Sequence, residues 1–269
     1  MNPDQQNNKD TIFRTACDAA RGAGAVLKKY YRHDKEVSYK GRIDLVTNVD
    51  YESEETIISL IRSRHPDHDI ITEESDIDLK GSEFRWIIDP VDGTVNYAHD
   101  LPFACVSIGL KIHDTVEIGV VYNPMTEEFF TARRGAGAFC NDIPLKVSDI
   151  GDLEKSFLAT GFPYDITERS NNNIAHFNHF IRHAQGIRRL GSAALDLCYC
   201  AMGIFDGYWE VTIKPWDIAA GVLMVTEAGG MVTRLDGSPL SVFDDQVLAT
   251  NGIIHSQMVE HIAMVEKKR

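Results

Sequence analysis

The chain has 269 residues, 43% of them apolar and 25% charged, a balance ordinary for a water-soluble globular protein and sufficient for one large domain or two lobes sharing a core. A formal net charge of −13, with no basic arm or stripe, argues against a nucleic-acid partner. No apolar run approaches the ~18 residues a membrane span needs, and residues 1–10 are polar, hold no signal-peptide core and read as a frayed tail. The five cysteines (Cys17, Cys105, Cys140, Cys198, Cys200) are odd in number and lack metal-type spacing, so reduced thiols in a cytoplasmic protein are expected.

In chain order, residues 11–32 carry Ile12, Ala16, Ala19, Ala20, Ala23, Leu27 and Tyr30 at helical spacing. A short exposed strand is expected over 35–40. The stretch Asp44-Leu45-Val46-Thr47-Asn48-Val49-Asp50 offers cap residues to a helix that runs to about 64 and is ended by Pro66. Residues 69–72 read as a strand leading into Glu73-Glu74-Ser75, and 76–83 as a polar loop. Residues 86–88 form a short apolar strand that ends at Asp89-Pro90-Val91-Asp92-Gly93-Thr94, where Pro90 is expected to start a tight turn. Three antiparallel strands follow over 104–113, 116–122 and 128–132. Gly135-Ala136-Gly137 lacks the third glycine and the following helix of a dinucleotide fingerprint, so it reads as a hairpin turn.

A linker near 147–154 leads to alternating elements: strand 157–160, helix 172–185, strand 186–190, helix 192–202 capped by Ser192, strand 207–211 and helix 216–229. Strands at 230–233 and 247–250 and a helix at 252–267 complete the chain. The alternation predicts an α/β layer with helices on both faces of a sheet.

Two carboxylates three residues apart at a strand's exit, followed by a turn with free amides, suit a divalent cation holding a phosphate. Taken alone, they favour an ordinary Asp-Pro turn with an Asp cap on the following helix. Glu73 also closes a strand, and Asp217 lies in the first turn of its helix after Pro215 and Trp216. Gathered in one place, such acids stay ionised together only if cations neutralise them. Oxygen donors without Cys or His point to Mg²⁺ or a similar hard ion. Spacing alone does not establish that the three segments converge.

The sequence resembles the inositol monophosphatase family of Mg²⁺-dependent, Li⁺-sensitive phosphatases. The resemblance rests on Asp89-Pro90-Val91-Asp92-Gly93-Thr94-Val95-Asn96, Trp216-Asp217-Ile218-Ala219-Ala220-Gly221 and Thr72-Glu73-Glu74-Ser75. Asp44-Leu45-Val46-Thr47, Arg133-Arg134-Gly135-Ala136-Gly137-Ala138-Phe139 and Thr226-Glu227-Ala228-Gly229-Gly230 extend it to about residues 11–261. The resemblance implies a five-layer αβαβα sandwich and, in most members, a homodimer. It implies an α+β lobe over 1–150 with most metal ligands and an α/β lobe over 151–269 with Asp217 and the substrate-reading residues. Carried over by position, Glu73, Asp89 and the Val91 carbonyl would hold one Mg²⁺, and Asp89, Asp92 and Asp217 a second. Glu73 could help a third, weaker ion. Thr94 and Glu73 would orient the attacking water, and the Gly93 and Thr94 amides would hold phosphate oxygens. Lys40 and Asp50 fall where members have a mobile loop and a supporting acid.

Asn96-Tyr97 looks like the inositol-phosphatase pattern, and Gly191, Ser192, Ala193 and Glu210 match positions that bind inositol hydroxyls. The implied reaction is hydrolysis of inositol monophosphate. Fructose 1,6-bisphosphate, histidinol phosphate, NADP and 3′-phosphoadenosine 5′-phosphate are alternative substrates. A regulatory protein on this fold, partnering RNA polymerase or ribosome-assembly factors, is a reading of another class. Arg188 and Arg189 are expected to pair with surface acids rather than bind a second phosphate. His176, His179 and His183 share one face of a predicted helix; no acid completes a ligand set, so a solvated or dimer-facing stripe is expected. Cys198 and Cys200 read as core, and Trp86, Trp209 and Trp216 as packing beside the site.

Overall fold

Three apolar cores separated by two β-sheets organise the protein. The structure, a computed structural model, describes residues 3–33, 35–39, 45–75 and 79–267. The chain begins with α1 (Pro3–Tyr30), β1 (Val37–Tyr39), β2 (Leu45–Thr47), α2 (Asn48–Arg64), β3 (Asp69–Thr72), β4 (Phe84–Asp92) and α3 (Thr94–Ala98). A meander follows: β5 (Cys105–Ile112), β6 (Thr115–Asn123), β7 (Glu128–Arg133), β8 (Gly137–Cys140) and β9 (Ile143–Pro144). Beyond a 3₁₀ turn come β10 (Phe157–Thr160), α4 (Ile174–Phe180), β11 (Gly186–Arg188), α5 (Ala193–Ala201) and β12 (Gly207–Val211). The chain closes with α6 (Pro215–Glu227), β13 (Met231–Thr233), β14 (Gln246–Thr250) and α7 (His255–Glu266).

The first sheet has seven strands in the order β3-β4-β5-β6-β7-β8-β9. Only the β3–β4 pair is parallel; the rest is an antiparallel meander. The second has five strands in the order β11-β10-β12-β14-β13, with β10 parallel to both neighbours. Period-two alternation assigns their faces. Trp86 and Ile88 join the core under α1 and α2, while Ile87 joins the core shared with α5 and α6. Likewise Tyr208 faces α5 and α6, whereas Trp209 and Val211 join Phe180 of α4 and Met258 and Ile262 of α7. The result is the expected five-layer αβαβα sandwich, with α5 and α6 in the middle layer. Gly109 and Gly119 let α6 ride close on β5 and β6: a Cβ on either would come within 2.8 Å of Ala219 or Ala220. That contact fixes the height of α6, and hence of Asp217 in its first turn.

Several expectations need correcting. Residues 3–10 are not a frayed tail; α1 starts at Pro3, and Lys9 and Asp10 bridge to Glu117 and Arg133 at 2.6 and 2.5 Å. Pro90 does not start a turn. The strand continues through it to Asp92, with the register shifted between Asp89 and Asp92. Pro90 lacks an N–H, so the ladder slips there; Ser53 Oγ donates to its carbonyl at 2.8 Å instead. The helix expected over 172–185 is only Ile174–Phe180, because Asn173 sits at φ +67° and tighter turns take over after Phe180. The last helix starts at His255 rather than 252. Trp86 and Trp209 lie in the two outer cores, and only Trp216 lines the cavity described below. Cys198 and Cys200 are core, as expected. Lys40 and Asp44 lie outside the described residues.

Candidate active site

One cavity of about 610 Å³ is lined by every residue to which the resemblance gives a metal, water, phosphate or polyol role; Asp50, the supporting acid, is not part of its lining. Glu73 follows the C-terminal end of β3; Asp89, Val91 and Asp92 end β4; Gly93 and Thr94 lead into α3. Asp217 enters from the first turn of α6, Gly191, Ser192 and Ala193 from the start of α5, and Glu210 from β12. Strand ends and helix starts thus meet where the two sheets face the middle helices. Such edges are where ligands bind in layered α/β folds.

Each aspartate is held by one carboxylate oxygen. Asp89 Oδ1 accepts from the Val91 N–H at 3.0 Å. Asp92 Oδ2 accepts from Ser192 Oγ and from the Ala194 N–H, both at 2.7 Å. Asp217 Oδ2 accepts from the Lys214 N–H at 2.8 Å. The second oxygen of each makes no hydrogen bond among the described residues, and none of the three aspartates pairs there with a Lys or Arg. No three of the four acids bring ligating oxygens within 4.8 Å of one another, so they ring a space rather than close it.

Burial, with repulsion from Glu73, Asp92 and Asp217, pushes the Asp89 carboxyl well above its ordinary range. Asp217 is raised by burial and by Asp92 and Glu73. Burial lifts Asp92 to about 6 even though Ser192 and Ala194 hydrogen-bond its charged form. A cavity with this much buried acidity suits a cation, and a set of carboxylates with one backbone carbonyl fits a hard, oxygen-bound one.

Gly93 makes the turn possible. It sits at φ +91°, and a Cβ there would meet the Phe103 carbonyl at 2.9 Å and the Gly191 carbonyl at 3.2 Å. Beside it, Thr94 Oγ lies 2.9 Å from the Val91 carbonyl and 3.1 Å from Asp50 Oδ1. Asp50 is itself fixed by the Thr47 N–H and hydroxyl at 2.9 and 2.6 Å, a capping box at the start of α2. The helix start that buries Asp50 thereby orients the threonine.

Some residues have tasks the sequence did not disclose. Glu54, buried on α2, accepts from Thr72 Oγ at 2.5 Å, from the Glu74 N–H at 3.0 Å and from the Ser75 hydroxyl. It holds the segment that carries Glu73; its only sequence signal was an acid on the apolar face of a helix. Asp196 of α5 lines the cavity fully buried, with Oδ1 unpartnered and its carboxyl raised by burial, Glu210 and Asp92. Asn96 donates to the Phe103 and Leu190 carbonyls at 2.8 and 2.7 Å, and Tyr97 to the Leu27 carbonyl at 2.7 Å. The Asn96-Tyr97 pair therefore staples the turn to its surroundings. Ser192 likewise serves Asp92 directly.

Glu210 is partly buried, accepts from the Tyr208 hydroxyl and is raised to about 7, chiefly by burial. The two arginines part company. Arg188 stacks on Phe157 at 4.7 Å, whereas Arg189 lines the cavity with Tyr164, Asp165 and Arg169. Neither forms an ion pair with an acid among the described residues, contrary to expectation. His176 is fully buried and pairs with Glu266 at 2.9 Å, so the expected histidine stripe is not solvated as a unit.

The layered fold with an acid-lined cavity at its strand ends is that of a phosphatase. The chain belongs to the inositol monophosphatase family, whose model matches residues 8–267. It is 45% identical over 255 residues to an inositol-1-monophosphatase of Synechocystis, covering 94% of this chain and 89% of that protein. It is 42% identical over 255 residues to the Nus factor SuhB of Escherichia coli, covering 93% and 95%. The solved inositol monophosphatase of Anabaena superposes with a TM-score of 0.88 at 44% identity, covering 96% of this chain and 97% of that one. Among the described residues no helix is long and apolar enough to cross a membrane.

Proposed function

We propose that the protein is a Mg²⁺-dependent phosphomonoesterase that hydrolyses inositol monophosphate to inositol and phosphate. The observation that carries this reading is the convergence of Glu73, Asp89, Asp92 and Asp217 on one cavity beside Thr94. In it, Glu73, Asp89 and the Val91 carbonyl would hold one Mg²⁺, and Asp89, Asp92 and Asp217 a second. Bound there, Mg²⁺ supplies a water of lowered pKa and offsets charge on the phosphate and on the departing oxygen.

The chain's own residues do the aligning, which is most of the work in phosphoryl transfer. Asp50 accepts the Thr94 hydroxyl proton, so a Thr94 lone pair accepts from the attacking water and turns it toward phosphorus. Glu73 takes the other water proton. The amides of Gly93 and Thr94 hold phosphate oxygens. Glu210, with Gly191, Ser192 and Ala193, reads the polyol: the carboxylate accepts hydroxyl protons that a deoxy compound lacks.

The reading extends to a homodimer in the cytoplasm without nucleic-acid contacts, the last of these points supported by the −13 charge. Light scattering and a nucleic-acid retention assay test these points. Arg189 in the cavity favours a second reading, in which a bisphosphate ester is also accepted. Relatives named as Nus factors favour a regulatory role in addition to, or instead of, catalysis.

A phosphate-release panel over inositol monophosphate, fructose 1,6-bisphosphate, histidinol phosphate, NADP and 3′-phosphoadenosine 5′-phosphate decides among these readings. The proposal expects fastest turnover on inositol monophosphate, dependence on Mg²⁺ and suppression by Li⁺. Fastest turnover on a bisphosphate transfers the assignment to the second reading. No release from any ester by protein that still binds Mg²⁺ leaves only the regulatory role.

A further inference from the structure

A second cluster of ligating side chains lies in the outer helical layer, across the five-stranded sheet from the middle helices. His179 is in α4, His183 is one turn further along, and His261 comes from α7. One ring nitrogen from each lies within 4.8 Å of the others, and this is the only such group among the described residues. Across a tetrahedral ion with bonds of 2.0–2.1 Å, two nitrogens stand about 3.4 Å apart, so small ring rotations close the difference.

The histidines are already oriented. His183 Nδ1 must carry its proton, since it donates to the His179 carbonyl at 2.8 Å. In the neutral ring the lone pair then sits on Nε2, the usual way a backbone carbonyl presets a ligating histidine. His179 Nε2 and His261 Nδ1 face each other at 3.0 Å, so in the metal-free protein one donates to the other and both rings can be neutral. The His179 and His183 rings stack at 4.3 Å, and His261 meets both edge-on at 5.0 Å. Phe180, Met258 and Ile262 anchor the two backbones in the core beneath. All three histidines are partly exposed, which leaves an entry path and a fourth position for water.

We propose that His179, His183 and His261 bind a borderline divalent cation, Zn²⁺ first among them, which clamps α4 to α7. Three neutral imidazoles with no carboxylate select Zn²⁺, Co²⁺ or Ni²⁺ over Mg²⁺. The site is thus chemically distinct from the oxygen-only cavity.

The test uses tag-free full-length protein with saturating Mg²⁺, titrated with Co²⁺ and followed by visible d–d absorption, then with competing Zn²⁺. Wild type is expected to take up one Co²⁺ per chain with the spectrum of a nitrogen-bound, low-symmetry ion, displaced by Zn²⁺. The double variant His183→Gln, His261→Gln is expected to lose affinity by roughly 100-fold or more, beyond what disturbing a mere supporting group costs. Its Mg²⁺-dependent phosphate release should be unchanged, which also reports that it folds; should it not fold, single His183→Gln replaces it. Zn²⁺ should raise the Tm of wild type and not of the variant. Equal titrations in wild type and variant, or a spectrum of oxygen-only octahedral Co²⁺, would overturn the proposal without touching the proposed phosphatase chemistry.

Discussion

The acid-lined cavity and the histidine cluster solve opposite electrostatic problems. In the cavity, carboxylates from β3, β4 and α6 face one another, and burial and repulsion raise Asp89 and Asp217 together. A cation bound among those groups would oppose that rise by favouring their charged forms. The histidines have no such conflict, because a neutral pair can hydrogen-bond itself, as His179 and His261 do. The lesson is that the proposed cations would relieve a repulsion built into the cavity, whereas the histidine cluster has none to relieve and would gain only the bonds to its ion.

The contrast breaks most readily at Asp92. Asp92→Asn keeps acceptors for Ser192 and Ala194 but removes a negative charge, and is expected to lower Mg²⁺-dependent phosphate release by roughly 10³-fold, the scale of losing a preorganised electrostatic group. Far-UV CD should remain native; near-normal turnover would take Asp92 out of the mechanism. Next in size is Gly93→Ala. A side chain at φ +91° that also meets the Phe103 carbonyl should destabilise by about 1–3 kcal/mol. Moving Thr94 by a fraction of an ångström should cost on the order of 10²-fold in kcat. Urea denaturation and steady-state kinetics measure the two effects separately, and a variant of unchanged stability and rate would show that the turn is not tight.

The smallest effect is on stability against pH. Asp89, Asp92, Asp217 and Glu210 all have folded values raised above their unfolded ones. Their contribution is therefore complete below the ordinary carboxylate range and is lost as pH rises through about 6 for Asp92 and about 7 for Glu210. In EDTA the Tm should fall between pH 5 and 8, by ~2–4 °C for each kcal/mol lost. Saturating Mg²⁺ should flatten that slope, while Zn²⁺ at the histidines should raise Tm most at the upper end of the range, because the ion competes with protons for the imidazoles. A Tm that rises with pH in EDTA contradicts the charge pattern.

Much of this was legible in the sequence because local chemistry and tertiary role coincide. Continuous apolar runs on β4 and β12 report strands buried on both faces, and Asp89, Asp92 and Asp217 stand at element ends that reach the cavity. Misreadings arose where the deciding contact is remote. Pro90 stays in a strand because Ser53, far back in the chain, takes its carbonyl. Asn96 and Tyr97 carried only a family likeness in the sequence; their task, binding the Leu190 and Leu27 carbonyls, depends on partners far along the chain. Helical spacing placed His176, His179 and His183 on one face, yet His176 turns inward to Glu266, and the partner that completes the set, His261, lies on another helix. The role of Glu54 depends on three donors in the β3 exit that no pattern within α2 signals.

The central claim is that acids from separate segments share cations in the cavity. Counting Mn²⁺ bound per chain by electron paramagnetic resonance, in wild type and in Asp89→Asn, tests it most directly, since Asp89 is the ligand assigned to both ions. The account predicts at least one site lost and the remaining affinity weakened tenfold or more, roughly the loss expected on disturbing a metal's ligand set. Identical Mn²⁺ isotherms for the two proteins would contradict it.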